Sequence, residues 1–255
     1  MIMELKYHFY SVNTAVQGKL PSQIYGGEMI EILHHQYQAS IQYQKHHICG
    51  ATIISYDFLL TSASCFTADR YVYYVNLQVL VGTNDITRIT QPFPLNVFEV
   101  SHLIIHEDYN PHQNWINDIA LLKVTSSMSK TFLRLASMPT NIYSSNLHLI
   151  GWGENPFTGK MTRFLQKLDI KSITPSICKH RYDIKLILSP TQFCLIPRSP
   201  TAQITQGVSG TPVVRSQTII GLVSLMSSKT NDPVIYTAVF PYINWINRNI
   251  KKTFK

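Results

Sequence analysis

Apolar and polar positions alternate along several short stretches of this chain, and a two-residue period marks strands with one buried face. Leu77, Val79 and Val81 follow it, as do Phe98 and Val100. Residues 53–60 read as two strands joined at 55–57. Further strands are expected at 147–150, 165–173, 192–196, 212–214, 219–225 and 234–239. The tail changes period: Ile243, Ile246 and Ile250 recur at helical spacing, with Arg248, Lys251 and Lys252 on the other side. Neither a repeat nor a low-complexity tract breaks the pattern. Nowhere is there an apolar run of the roughly 18 residues that a membrane-spanning helix needs.

Composition fits a strand-rich protein. The chain has 255 residues, 45% hydrophobic and only 14% charged, enough to bury a sizeable core as one unit or two small subdomains. Gly, Pro, Asn and Ser are scattered as punctuation between short elements. The net charge of +8 favours acidic partners such as sulfated glycans, anionic proteins or cell surfaces. Its densest cationic cluster is Arg248, Lys251, Lys252 and Lys255, which reads first as the solvated face of the terminal helix. The cations are not aligned with aromatics, and no nucleic-acid motif accompanies them. No cofactor fingerprint, metal-ligand cluster or N-x-S/T sequon is present, so no cofactor and no metal are expected.

Seven motifs occur in a telling order: IYGG at 24–27, CGATIISYDFLLTSASC at 49–65, NDIALLKV at 117–124, GWG at 151–153, GVSGTP at 207–212, GLVSL at 221–225 and IYTAVFPYINWI at 235–246. Each alone is weak, but the order and spacing over more than two hundred residues resemble the trypsin/chymotrypsin-like serine proteases, from Ile24 to about Lys252. The resemblance implies an all-β fold of two antiparallel six-stranded β-barrels packed side by side, with a C-terminal α-helix and a cleft between the barrels. The first barrel would occupy about 24–130, the second about 131–240 and the helix about 241–253, with residues 1–23 as a prosegment-like region.

Four cysteines allow three pairings. The resemblance selects Cys49 with Cys65 and Cys178 with Cys194, each separated by 16 positions (65 − 49 and 194 − 178). Bridges of this size typically contribute on the order of 3 kcal/mol. Disulfides call for an oxidising compartment, so the protein is expected to be secreted, although Glu4, Lys6 and His8 interrupt any apolar stretch of signal-peptide length.

Carried over motif by motif, the resemblance gives Ser209 as nucleophile and Asp118 as the buried carboxylate, and it puts Ser64 where the histidine belongs. In such enzymes an imidazole takes the proton of the attacking hydroxyl while the carboxylate fixes its tautomer. A serine hydroxyl has no basicity near neutral pH. Removing the histidine of a triad costs roughly a millionfold in turnover. None of the chain's ten histidines is expected to replace it; His46 and His47 lie near the cleft but not on the loop that delivers a base.

Other positions depart from the family pattern. Gln23 stands before Ile24 where a basic residue would direct activating cleavage, and Val208 stands where an Asp would receive the freed amine. The oxyanion-hole donors, the N–H groups of Gly207 and Ser209, are therefore expected to lack their usual means of preorganisation. Thr211 replaces the motif's second glycine. In the specificity pocket Gln203 gives a neutral floor, while Met226 and Val234 replace glycines beside Ser224 and Leu225. Such walls would shorten or plug the pocket; an elastase-like preference for small side chains is the alternative. The resulting expectation is a secreted, monomeric serine protease homologue that acts by binding a protein or an anionic ligand such as a sulfated glycan. A weak serine endopeptidase using Ser209 and Asp118 is the runner-up.

Overall fold

The computed structural model describes residues 26–67, 76–87, 96–128, 134–135, 142–143, 146–155, 157–182, 187–224 and 232–253. In chain order the strands are β1 (Glu28–Met29), β2 (Gln38–Tyr43), β3 (His46–Ile53), β4 (Phe58–Thr61), β5 (Leu77–Val81), β6 (Val97–Ile105) and β7 (Ala120–Val124). They continue as β8 (Arg134–Leu135), β9 (Leu147–Gly151), β10 (Gln166–Ile173), β11 (Gln192–Pro197), β12 (Pro212–Arg215), β13 (Thr218–Val223) and β14 (Val234–Ala238). The α-helices are α1 (Ser64–Thr67), α2 (Pro175–Arg181) and α3 (Ile243–Lys252).

Two closed barrels result. The first runs β2-β3-β4-β7-β6-β5 and closes by β5 pairing with β2. The second runs β10-β11-β14-β13-β12-β9 and closes where β9 pairs with β10. Each has six strands, and every pairing within both rings is antiparallel.

The side-chain period explains how these residues sort. Along β4, Leu59 points into the first barrel while Phe58 and Leu60 join the layer between the barrels. Along β7, Ala120, Leu122 and Val124 fill the barrel and Leu121 faces the shared layer. Both faces are largely buried, so these strands read as nearly continuous apolar runs, broken in β7 only by Lys123, and not as alternation. A slip of one residue would exchange the two sets, which fixes the register. Leu147, Leu149, Leu168, Ile170, Val213 and Tyr236 fill the second barrel.

The short strand β1 lies in the stretch expected with the first barrel, yet it pairs with β10 of the second, Glu28 opposite Lys167 and Met29 opposite Gln166. The physical reason is availability: β2 already has β3 and β5 as neighbours, whereas β11 pairs only with Ile170–Ile173 of β10 and leaves the second edge of Gln166 and Lys167 open, opposite the edge that β9 takes. At the other terminus α3 buries Trp245 and Ile246 against the shared layer with Tyr242, as its spacing predicts. Trp245 Nε1 donates to Glu107, and Lys123 Nζ donates to the Thr253 carbonyl, so α3 is tied to the first barrel. Cys49–Cys65 and Cys178–Cys194 are both bridged, with Cα atoms 6.1 Å apart in each.

Candidate functional site

Three chain segments converge between the barrels: the turn after β4, the approach to β7, and the loop before β12. The first carries Ser64 at the start of α1, pinned because its neighbour Cys65 is bridged to Cys49 on β3. Asp118 sits two residues before β7, after an Asn in the left-handed region (Asn117, φ 59°). Asn tolerates that conformation better than most residues. Tyr242 donates its hydroxyl to Asn117 Oδ1 at 2.7 Å and so fixes the turn that aims the carboxylate.

Asp118 is fully buried. Its Oδ1 accepts from the Ser64 backbone N–H at 2.7 Å, and its Oδ2 accepts from Ser64 Oγ at 2.8 Å and from Ser224 Oγ. These are neutral donors, and among the described residues no cation faces the carboxylate. Burial accordingly pushes its pKa above the ordinary value of 3.8, with the hydrogen bonds from Ser224, from Ser64 and from the Ala63 backbone only partly opposing the shift. Ser64 is thus engaged as a donor toward Asp118 and is nearly covered, at 9% exposure.

Ser209 lies on a sharply folded loop with Gly207 at φ 89° and Gly210 at φ 76°. A Cβ on Gly210 would sit 2.4 Å from the Gly50 carbonyl oxygen, so only glycine fits there. The loop is held by Gly50 N–H to the Ser209 carbonyl at 2.8 Å, Gly210 N–H to the Val223 carbonyl at 2.8 Å and Thr211 N–H to the Val208 carbonyl at 3.0 Å. Thr211 itself is buried, its side chain wedged against the bare backbones of Gly50 and Gly151. Among the described residues, Ser209 Oγ has no hydrogen-bond partner, and the N–H groups of Gly207 and Ser209 donate to none.

The structure therefore joins Ser64, Ser224 and Asp118 and leaves the Ser209 hydroxyl outside that network. Ser224, expected as a pocket wall, has its hydroxyl committed to Asp118. Val234 is 5% exposed and packs with the interior residues of the second barrel. Gln203 is partly exposed, and Met226 and Leu225 lie outside the described residues.

His47 carries a role that the sequence did not disclose. Its Nδ1 lies 2.7 Å from Ser40 Oγ and its Nε2 lies 2.9 Å from the Gly207 carbonyl oxygen. A carbonyl can only accept, so Nε2 bears the proton and Nδ1 accepts from the serine hydroxyl. Desolvation lowers its pKa from 6.5 to about 4, which keeps the ring neutral near pH 7. With both nitrogens occupied it has none free for Ser209. The pairing of β2 with β3 brings Ser40 and His47 together, and nothing in the sequence showed that the ring reaches a loop 160 residues away.

Comparison with known proteins agrees with this architecture. The family model described as Trypsin matches residues 24–246. Human granzyme M is 28% identical over 247 residues, covering 92% of this chain and 91% of that protein. Rat transmembrane protease serine 11G is 31% identical and human transmembrane protease serine 11B 30% identical, each across 82% of this chain. The match spans 51%, about half, of each of those two transmembrane proteases.

Proposed function

We propose that this chain, which belongs to the trypsin family, works by binding and not by peptide hydrolysis. The observation that carries the reading is the closed shell around Asp118, where Ser64 and Ser224 satisfy the carboxylate without an imidazole. A triad carboxylate acts by orienting a base and stabilising its protonated form. Here its oxygens are taken by hydroxyl and amide donors, and the Ser64 hydroxyl cannot accept a proton from Ser209 at neutral pH. His47 offers no substitute, because both ring nitrogens are engaged. The scaffold with its two bridges is intact, which suits a regulator or accessory protein that presents the cleft or the surrounding surface to a protein partner or an anionic ligand. The net positive charge favours the latter. The bridged cysteines suit an extracellular setting, and among the described residues no helix is long and apolar enough to cross a membrane.

A weak endopeptidase is the second reading, favoured by the unengaged Ser209 hydroxyl beside the free N–H groups of Gly207 and Ser209. A fluorophosphonate probe separates the two. The purified chain is expected to label no faster than its Ser209→Ala variant, with the adduct sought by mass spectrometry. Labelling at Ser209 that the variant abolishes would establish an activated hydroxyl and sink the binding-only reading.

A further inference from the structure

The loop from Gly207 to Thr211 is anchored at both ends by contacts that need no new chain terminus. Val208 is completely buried and packs among Ile142, Leu168, Leu195 and Ala202 in the second barrel. Gly26, where the described chain begins, lies against Ala202 of the same cluster, with no room there for a Cβ. The place where a charged anchor would be received is therefore apolar. On the opposite side of the loop, the Ser40–His47 pair reaches across from the first barrel and grips the Gly207 carbonyl.

We propose that His47 is a positioning residue which, with the buried Val208, holds the Gly207–Ser209 loop in its donor-presenting form in the uncleaved chain, so that cutting before Ile24 is not what orders it. The His47 contact fixes the peptide between Gly207 and Val208, the unit that lies between the two donor N–H groups, and among the described residues the Gly207 and Ser209 N–H groups stay unspent. Preorganised donors of this kind suit an oxygen anion on a bound ligand. The device does not depend on hydrolysis and stands whether or not Ser209 reacts.

The ring faces the Ser40 hydroxyl on β2, the Gly207 carbonyl and the Trp152 ring 5.9 Å away, and no charged group adds to its shift. Only the neutral ring both accepts from Ser40 and donates to Gly207. Protonating Nδ1 sets two donors against each other at the Ser40 hydroxyl and brings charge into a desolvated place, so the grip weakens as pH falls toward about 4.

Amide hydrogen exchange of the 206–212 peptide reads the loop, with the β5 peptide as an internal reference for global opening. The full chain and a form beginning at Ile24 are expected to exchange alike there. His47→Leu should speed exchange at 206–212 by about tenfold, the effect of one lost hydrogen bond, with β5 unchanged. His47→Gln, whose side-chain amide can still donate to the carbonyl, should stay within about threefold of wild type. It should also lack the acid-dependent opening expected of the wild-type loop near pH 4. Slower exchange in the Ile24-start form by about tenfold would overturn the proposal, as would unchanged exchange in His47→Leu or equal acceleration of the loop and β5.

Discussion

Replacing Asp118 by Asn tests what the buried carboxylate is doing. The side chain has one fixed demand: the backbone N–H groups of Ser64 and Ala63 can only donate, so an oxygen must face them. The amide oxygen meets it, and the amide nitrogen then takes the place of Oδ2 beside two hydroxyls. A hydroxyl accepts as well as donates, so Ser64 Oγ and Ser224 Oγ turn round and the shell stays satisfied. What is lost is charge assistance to the hydrogen bonds; what is removed is the desolvation of a carboxylate with no cation beside it. The raised pKa says that desolvation outweighs the donors. Asp118→Asn should therefore fall within about 1 kcal/mol of wild type at pH 7. Asp118→Ala strands the buried Ser64 N–H, opens a cavity and should cost about 3 kcal/mol.

The pH dependence has a definite sign. A carboxyl whose folded pKa is raised favours the native state below its unfolded pKa and loses that contribution as pH rises through the folded value. Wild type should therefore gain on Asp118→Asn as pH falls from 7 toward about 4, a change that urea unfolding with the disulfides intact can follow. If Asp118→Asn instead lost more than about 3 kcal/mol at pH 7, and the deficit shrank on acidification, the carboxylate would be matched by a cation. The account of a hydroxyl-sealed site would then be wrong.

Three further measurements probe the frame around the site. Val208→Asp puts an unpaired carboxylate into the second barrel's apolar interior and should destabilise by about 3 kcal/mol in thermal or urea unfolding. Adding it to Ser64→His should leave less peptidase activity than Ser64→His alone; the opposite result would mean that the loop does need an acid at that position. Removing the first bridge with Cys49→Ala and Cys65→Ala should cost about 3 kcal/mol of unfolding free energy, and a loss under about 1 kcal/mol would show α1 to be held without it.

The barrels were legible wherever the strand period or the turn punctuation was clean: residues 77–81, 147–150 and 192–196 needed little more than alternation. β4 and β7 were harder, because side chains on both faces are buried and the alternation vanishes. β4 is the second of the two strands expected within residues 53–60, while β7 falls in the NDIALLKV motif, for which no strand was expected. β1 was not legible, since a two-residue strand carries almost no periodic signal and its partner is decided by which backbone edge is open. At the site, the identity of Ser64 was readable in the motif. Its contact with Asp118 was foreseeable, because a buried carboxylate must find donors. The tasks of His47 and Ser224 were hidden: each acts on a group more than a hundred residues away, and only tertiary geometry makes the pairing.

The termini cross over. The entering strand is stitched to the second barrel through Glu28 and Met29, while the departing helix clasps the first through Trp245, Arg248 and Thr253. Each half of the molecule is thus buckled by a strap that belongs to the other end of the chain. A protease nick between Met128 and Arg134 would leave two fragments clasped together, whereas either fragment made alone would lack its fastening.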